Sequence, residues 1–104
     1  MKILELYHCL ESIRRELGGD YAPQQLLILL LASVNEGITH PDLAKHLNMP
    51  QPTVSRNCHK LEEGYGFIKT LDNFDIGYRR KAVHLTEPGK AFVKRIKTMI
   101  EDNT

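Results

Sequence analysis

The chain has 104 residues, of which 41% are hydrophobic and 26% charged, and its formal net charge is +1. This length suffices for one domain with a hydrophobic core, and the composition excludes a disordered tail and a disulfide scaffold. The two cysteines, Cys9 and Cys58, have no metal-ligand spacing. The longest apolar run, residues 26–32, is too short to cross a bilayer, and residues 1–17 do not resemble a signal peptide. We therefore expect one cytoplasmic domain over residues 1–104, without a cofactor, a metal site or a membrane segment.

The charges are distributed unevenly along the chain. Residues 1–36 carry three basic and five acidic side chains, whereas residues 79–97 carry seven basic side chains and one acid. A basic stretch confined to one part of a small domain is typical of a surface that binds a polyanion. The alternative, an ordinary solvated face, is the more common origin of such a run.

Two long helices are predicted in the first third of the chain. Apolar residues recur at three- and four-residue spacing over residues 3–17, and Gly18-Gly19 ends the pattern. A second helix is predicted from Pro23 to about Asn35, and its centre, residues 26–32, is apolar on every side and should be buried. The stripe of the first helix comprises Ile3, Leu6, Leu10, Ile13 and Leu17, broadened by Leu4 and Tyr7.

A helix-turn-helix is predicted over residues 39–63. Thr39 can cap a short helix, and Asn48-Met49-Pro50 interrupts the chain after it. The next helix is predicted over residues 52–63, because its apolar positions fall on one face and Gly64 and Gly66 follow it. Those apolar positions are Val54, Cys58 and Leu61.

The remaining residues predict a hairpin and a last helix. Segments 67–71 and 81–85 favour β-strands and flank a polar stretch, which indicates an antiparallel hairpin over residues 67–85 with a long tip. Thr86 can cap a helix over residues 88–102. Helix, helix, short helix, turn, helix, hairpin and helix is the order of a winged helix-turn-helix. The predicted fold class is therefore mainly α with a small β-hairpin wing.

The outward face of the predicted helix 52–63 is polar and basic, with no acid before Glu62. Arginine can contact guanine in a bidentate manner, asparagine can do so to adenine, and hydroxyl groups can bind phosphates or base edges. This face is typical of a helix that reads the major groove, whereas the plainer alternative is an amphipathic surface helix. The candidate DNA contacts at this helix are Gln51, Thr53, Ser55, Arg56, Asn57 and Lys60.

Three stretches resemble the MarR family of bacterial winged helix-turn-helix regulators. They are ITHPDLAKHL at residues 38–47, PTVSR at 52–56 with LEE at 61–63, and the Arg79-Arg80 pair together with LTEPGK at 85–90. The resemblance implies that Thr53, Ser55 and Arg56 lie in the reading helix. It also implies that Arg79 or Arg80, beside Lys81, lies near the wing position that enters the minor groove.

The chain departs from the family pattern in three ways. It is shorter than most members, so the dimerising helices at its ends must be reduced. The Gly64-Tyr65-Gly66 turn holds one residue more than the usual connection from helix to strand. Residues 76–78 separate Asp75 from the arginine pair, so no acid directly precedes that pair.

The terminal helices carry more apolar surface than a small winged domain is expected to cover. Pairing of residues 1–17 and 88–102 across a two-fold axis would bury that surface and place two reading helices about one DNA turn apart. In the alternative, both helices fold back onto their own domain. The candidate dimer residues are Ile3, Leu6, Leu10, Ile13, Phe92, Ile96 and Met99, with Leu6 and Leu10 near the centre.

These features predict a sequence-specific DNA-binding transcriptional regulator, a repressor that acts as a homodimer on pseudo-palindromic double-stranded DNA. Helix 52–63 would occupy the major groove and the wing, residues 72–81, the minor groove. A protein-interaction module and an accessory factor in replication or mobile-element maintenance stay open as alternatives. The lack of acids at positions 53, 56 and 60 argues against the first, and the sequence does not separate the second from a regulator.

Other chemistry has little support in the sequence. No Ser/His/Asp order, glycine-rich phosphate loop or carboxylate pair indicates an enzyme. Cys58 shares an apolar face with Val54 and is interpreted as a core residue, although His59 stands beside it. Cys9 in the first helix leaves redox sensing as a minor alternative, and a small-molecule effector is compatible with the family but cannot be identified.

Overall fold

The computed structural model describes residues 2–19, 21–75 and 78–102, except for the side chains of residues 73–75, 78, 79 and 102. Within the described residues, five helices and the two strands of the hairpin follow one another in the predicted order, a two-residue strand, β1, is additional, and the winged helix-turn-helix fold is confirmed. The elements are α1 (Ile3–Leu17), α2 (Pro23–Val34), β1 (Ile38–Thr39), α3 (His40–Leu47), α4 (Gln51–His59), β2 (Ile68–Asp75), β3 (Tyr78–Leu85) and α5 (Glu87–Asp102).

The helix α2 forms the centre of the core. It contacts α4, α5 and β3, and its residues Ile28, Leu29 and Ala32 are at most 1% exposed. The prediction that residues 26–32 are buried on all sides is wrong at Leu27, which is 47% exposed, because a domain of this size has too few elements to surround a helix. No helix within the described ranges, α2 included, is long and apolar enough to cross a membrane.

The apolar stripe of α1 divides into a buried edge and an exposed edge. Cys9, Ile13 and Leu17, spaced four residues apart, are the positions that enter the core. Leu6 and Leu10, which the predicted stripe placed with them, are each 43% exposed. Seven apolar residues cover a wider arc of the helix than the domain can contact, so part of that arc remains in solvent.

The wing, β2 with β3, has longer strands than predicted. Pairing runs from Ile68 opposite Leu85 to Asp75 opposite Tyr78, so each strand has eight residues. Residues 72–75, predicted as a loop tip, therefore belong to the ladder, while Ile76 and Gly77 lie outside the described residues. Both faces of a projecting ribbon can stay in solvent. Its strands are then held by backbone hydrogen bonds and do not require apolar residues at alternate positions. The short β1 completes the sheet on the other side of β3.

The helix-turn-helix follows the predicted capping pattern. The Asp42 N–H donates to Thr39 Oγ1 at 3.3 Å, which caps α3. Asn48 ends α3 in the left-handed region, with φ of 51°. The next helix then begins at Gln51, and its inward residues are those that the sequence predicted.

The helix α4 does not continue as a regular helix to residue 63. After His59 the chain makes one π turn, Lys60–Gly64, whose wider ring accommodates one residue more than an α turn of the same rise. This turn ends at Gly64, the first residue of Gly64-Tyr65-Gly66, where the sequence holds one residue more than the family pattern. Leu61 within the turn is 0% exposed, so the extra residue is absorbed without loss of its core contact.

The start of α5 is fixed against the chain that enters the wing. Thr86 Oγ1 accepts the Gly89 N–H at 3.2 Å and donates to the Gly66 carbonyl at 2.5 Å, so the predicted cap is confirmed. A Cβ at Gly89 would lie 2.0 Å from the Phe67 carbonyl oxygen, which explains why this position needs glycine. Phe92, one turn further on, stacks on Phe67 with ring centroids 4.8 Å apart.

Candidate nucleic-acid interface

The solvent side of α4 carries hydroxyl and basic side chains. Val54 and Cys58 on the opposite side are 0% and 1% exposed. Burial, with a smaller contribution from Glu62, raises the pKa of the Cys58 thiol to about 12, so this residue is an unreactive part of the core. We call the solvent side the reading face. It consists of the half-buried Thr53, of the exposed Ser55 and Arg56, and of Lys60, which is exposed at the start of the π turn that follows α4.

Hydrogen bonds within α4 link three of the predicted DNA contacts. Arg56 Nη2 donates to Thr53 Oγ1 at 3.4 Å, and Asn57 Nδ2 donates to the Thr53 carbonyl at 2.9 Å. Arg56 therefore lies beside Thr53 on the reading face. The half-buried Asn57 is held along the helix axis and has less hydrogen-bonding capacity left for DNA than the sequence suggested. Gln51 is exposed at the first residue of α4.

The basic residues of the wing lie on β3. Arg80 and Lys81 are exposed and stand opposite Asn73 and Asp72 in the ladder. Consecutive side chains of a strand point to opposite faces, so these two cations serve different sides of the ribbon. Arg79 stands opposite Phe74, and its side chain lies outside the described residues. Asp72 thus stands across the ladder from Lys81, whereas the partners of the arginine pair in the ladder, Asn73 and Phe74, are uncharged.

A cleft of about 510 Å³ lies between the reading face and the wing. Ser55 and Arg56 line it from α4, and Lys81 lines it from β3. Residues 25 positions apart in the sequence therefore place two cations on one groove. Glu62 and Glu63 line the same cleft, so its charge is mixed, and an anion such as a nucleic-acid backbone would be attracted to Arg56 and Lys81 rather than to the cleft as a whole.

The carboxylate of Glu62 connects the end of α4 to the wing. Its Oε1 accepts the backbone N–H of Thr70 in β2 at 3.0 Å. The side chain is half-buried, and this bond directs part of its negative charge toward the strand backbone. Glu62 thereby helps to set the angle between the reading face and the wing.

A buried histidine lies behind the reading face. His40, the first residue of α3, is 7% exposed, and its Nδ1 lies 3.3 Å from Ser55 Oγ. Its Nε2 is a buried side-chain nitrogen without a hydrogen-bond partner in the part of the chain that the structure describes. Burial lowers the pKa of His40, and the positive charge of Lys81 adds to that effect.

The sequence reasoning did not assign a role to Glu62 or His40. His40 is 15 positions from Ser55, and Glu62 is eight positions from Thr70, so neither contact lies within one turn of one helix. Local periodicity cannot reveal such pairs, because it reports only which residues share a face of the same element. Both contacts depend on how α3, α4 and β2 pack together.

The candidate dimer residues divide between the surface and the core. Ile3, Leu6 and Leu10 are 83, 43 and 43% exposed. The other four are Ile13, Phe92 and Ile96, which are 3, 1 and 4% exposed, and the half-buried Met99. The prediction that Ile13, Phe92 and Ile96 offer surface for a dimer is wrong, because the elements of the same chain already cover them. The alternative in which the terminal helices fold back holds for these three residues.

Comparison with known proteins agrees with this architecture. The profile of a family described as winged helix-turn-helix DNA-binding matches residues 23–64, which run from the start of α2 to the π turn. No curated protein sequence gives a significant match.

Several solved structures are similar to the chain over most of its length. MarR is 29% identical, with a TM-score of 0.68 over 93% of this chain and 73% of MarR. MepR from S. aureus, solved in complex with DNA, is 24% identical, with a TM-score of 0.75 over 94% of this chain and 77% of its own. A transcriptional regulator homologue from Pyrococcus horikoshii OT3 is 20% identical, with a TM-score of 0.68 over 96% and 93% of the two chains.

The similarity to MepR and to the Pyrococcus horikoshii protein establishes a common fold. MarR has the same fold and a higher sequence identity to this chain. The profile match falls on the helix-turn-helix, where the reading face lies. The chain therefore has a winged helix-turn-helix fold that is similar to that of MarR, and its residues 23–64 match a family described as winged helix-turn-helix DNA-binding.

Proposed function

We propose that the chain is a sequence-specific repressor that binds pseudo-palindromic double-stranded DNA as a homodimer. In this proposal α4 occupies the major groove and the wing contacts the adjacent minor groove. A repressor of this kind acts by covering a promoter, so its effect depends on site affinity and on simultaneous contact with two half-sites.

The reading face is the observation that carries the proposal. Within α4, no acidic residue opposes the approach of phosphate. The guanidinium of Arg56 and the hydroxyl of Ser55 are exposed, and these are groups that bind base edges and phosphates. The dipole of α4 adds partial positive charge at its N-terminus, where Gln51 supplies a backbone N–H that Pro50 and Pro52 lack.

The wing supports the second half of the DNA contact. Its paired strands extend to Asp75 and Tyr78, so the cations Arg80 and Lys81 belong to the hydrogen-bonded ladder. Lys81 faces the cleft beside the reading face. The DNA backbone that separates the major groove from the minor groove would therefore lie near Arg56 of α4 and Lys81 of the wing.

The exposed edge of α1 supports the homodimer. Ile3, Leu4, Leu6, Tyr7 and Leu10 are between 43 and 83% exposed on one short stretch of helix. Contiguous apolar surface of this kind on a small domain is typical of a protein interface. A second copy of the chain offers an identical surface, and two-fold symmetry brings such surfaces together. Ile100 at the end of α5, 41% exposed, extends the apolar surface of the terminal helices.

A binding experiment with DNA from upstream of the chain's own gene tests the proposal. We expect a shifted complex in a gel assay, a protected region of two half-sites in footprinting, and competition by unlabelled specific DNA but much less by random DNA. The affinity should fall steeply with salt because phosphate contacts release counterions. Equal competition by both DNAs would favour an accessory DNA-binding factor, and no binding at low salt would favour a protein-interaction module.

A transcription assay separates a repressor from an activator. A reporter driven by the protected promoter should be less active when the protein is present. The Arg56→Ala variant, assayed at the same protein level, should restore most of the reporter activity. Increased reporter activity with the wild-type protein would contradict repression while leaving DNA binding intact.

A further inference from the structure

His40 is a buried polar side chain whose position is explained by neither the core nor direct DNA contact. It lies at the start of α3, beneath the cleft, and is more than nine-tenths buried. Its Nδ1 lies 3.3 Å from Ser55 Oγ on the exposed side of α4. The imidazole thus connects the interior of the domain to one hydroxyl group of the reading face.

The hydrogen bond has a preferred direction. A neutral imidazole carries one proton, either on Nδ1 or on Nε2. If the proton were on Nε2, a buried N–H would have no acceptor among the described residues, and an unmade buried donor is costly. With the proton on Nδ1, the ring donates to Ser55 Oγ and only a lone pair of Nε2 remains unpaired. The second arrangement is therefore favoured.

The direction of this bond decides what Ser55 offers to solvent. A serine hydroxyl has one proton to donate and two lone pairs that accept. When His40 occupies a lone pair, the hydroxyl proton has no acceptor among the residues that the structure describes and is available to an outside acceptor. Phosphate oxygens and the acceptor atoms of guanine, adenine and thymine are such acceptors.

We propose that His40 is a positioning residue that donates from Nδ1 to Ser55 and so presents the Ser55 hydroxyl to DNA as a hydrogen-bond donor. The inference rests on the proposed DNA-binding function. His40 itself stays buried and does not touch DNA. Its contribution is to keep the hydroxyl oriented before binding, so that less ordering is needed when DNA arrives.

A double-mutant cycle with DNA tests the coupling of the two residues. His40→Leu removes the donor, and we expect it to weaken operator binding about three- to tenfold, the effect of one hydrogen bond. In a Ser55→Ala background the same change should have no further effect on affinity. His40→Asn, whose amide nitrogen can take the place of Nδ1, should retain most of the affinity. His46→Asn, on the exposed side of the same helix, is the matched control and should bind as the wild type does.

The tautomer of His40 can be measured without DNA. Long-range nitrogen–proton NMR spectra of the free protein at neutral pH should show Nδ1 protonated and Nε2 unprotonated, and Ser55→Ala should shift the Nδ1 signal. This readout also applies if His40→Leu does not fold.

Three results would overturn the proposal. The first is a proton on Nε2 in the free protein. The second is an equal loss of affinity from His40→Leu with and without Ser55, which would indicate a general structural role. The third is a wild-type protein that binds no DNA, which would overturn the proposed function as well. In the first two cases the wild type still binds its operator, so the two failures are distinguishable.

Discussion

The helices α1 and α4 are attached to the core in the same way but present opposite surfaces to solvent. Each buries a cysteine and aliphatic residues at spacings of three or four: Cys9, Ile13 and Leu17 in α1, and Val54 and Cys58 in α4, followed by Leu61 in the π turn. One exposed edge of α1 is apolar, with Leu6 and Leu10 at 43% exposure, whereas the exposed side of α4 carries Ser55 and Arg56.

The spacing of the buried residues in a helix thus reflects the fold, whereas the chemistry of its exposed residues reflects what the helix can bind. An apolar outer face gains free energy when another apolar surface covers it. A face of hydroxyl and guanidinium groups is well solvated by itself and gains from a partner that is charged and rich in acceptors. In the proposed function these two surfaces have different partners, a second copy of the chain at α1 and DNA at α4.

The largest expected effect comes from a charge in the apolar face of α1. Leu10→Glu would bury a carboxylate in the proposed dimer, so we expect sedimentation to report one chain mass where the wild type reports two. Operator affinity should fall about 100-fold or more, because the two half-sites no longer bind as one unit.

Leu27→Glu is the matched control for that change. Leu27 is 47% exposed on α2, close to the 43% of Leu10, but lies on a different helix. The control protein should remain dimeric and bind the operator. A wild-type monomer that binds the full palindrome tightly would contradict the role assigned to α1.

A smaller effect is expected at the reading face. Arg56→Ala should weaken operator binding by on the order of 1–3 kcal/mol if the guanidinium reads a base, and should weaken binding to random DNA much less. Arg14→Ala is a suitable control, since Arg14 is an exposed arginine of α1 that is paired with Glu11 at 2.8 Å. Equal losses on both DNAs would instead identify Arg56 as a phosphate contact.

The wing should contribute to DNA affinity mainly through the positive charge of its arginines. Replacing Arg79 and Arg80 by alanine should weaken binding to every DNA and lower the slope of log affinity against log salt by about one for each lost phosphate contact. Titration of wild type and variant with salt measures this slope. Lys97→Ala, on the exposed side of α5 near Glu101, should leave it unchanged. An unchanged slope in the double variant would exclude a phosphate contact at the wing.

The smallest expected effect is a pH dependence of stability that differs between α1, which carries Glu11, and the start of α3, where His40 lies behind α4. Above pH 6.5 His40 is neutral in both the folded and the unfolded chain. Below it the unfolded chain binds a proton first, because burial and Lys81 lower the pKa of His40 in the folded state, so stability falls as the pH falls. The other charged groups around this cleft are Arg56, His59, Glu62 and Glu63.

At α1 the corresponding change should come at much lower pH. The side-chain hydrogen bond from Arg14, and then that from Arg15, lowers the pKa of Glu11 to about 2, against the opposing effect of its partial desolvation. The contribution of Glu11 is therefore present above pH 4.5 and is lost between pH 4.5 and about 2. Denaturant unfolding between pH 7.5 and 5 should show that the free energy of unfolding declines as the pH falls. The decline should be smaller in His40→Asn and unchanged in Glu11→Gln. A decline that is identical in His40→Asn would contradict the assignment to His40.

The order of elements could be read from the sequence because each element carries a strong local pattern. Val54, Cys58 and Leu61 indicate one buried face, Thr39 and Thr86 indicate helix starts, and all five are confirmed in those roles. The reading face follows from the same pattern, since it is the side that the buried residues leave. These inferences hold because they depend on residues within one or two helical turns.

Predictions that depend on the neighbours of an element were less accurate. The apolar residues of α1 cover so wide an arc that their spacing does not say which part of the arc is buried. In the structure α1 contacts α5, and Cys9 and Ile13 are buried. In the same way, Phe92 and Ile96 are apolar positions whose burial depends on Phe67 and the core of the same chain. The strands of the wing were predicted too short, because a ribbon in solvent has no apolar pattern to mark its ends.

The winged helix-turn-helix, the capping residues and the chemistry of the surfaces of α1 and α4 could be predicted from the sequence alone. Each of them depends on periodicity and side-chain chemistry, which are local properties. The tertiary structure decided which apolar residues remain exposed and how the π turn absorbs one extra residue. It also placed His40 behind Ser55 and Glu62 against Thr70. Those contacts join residues of different elements, and their distances are set by packing in three dimensions rather than by spacing along the chain.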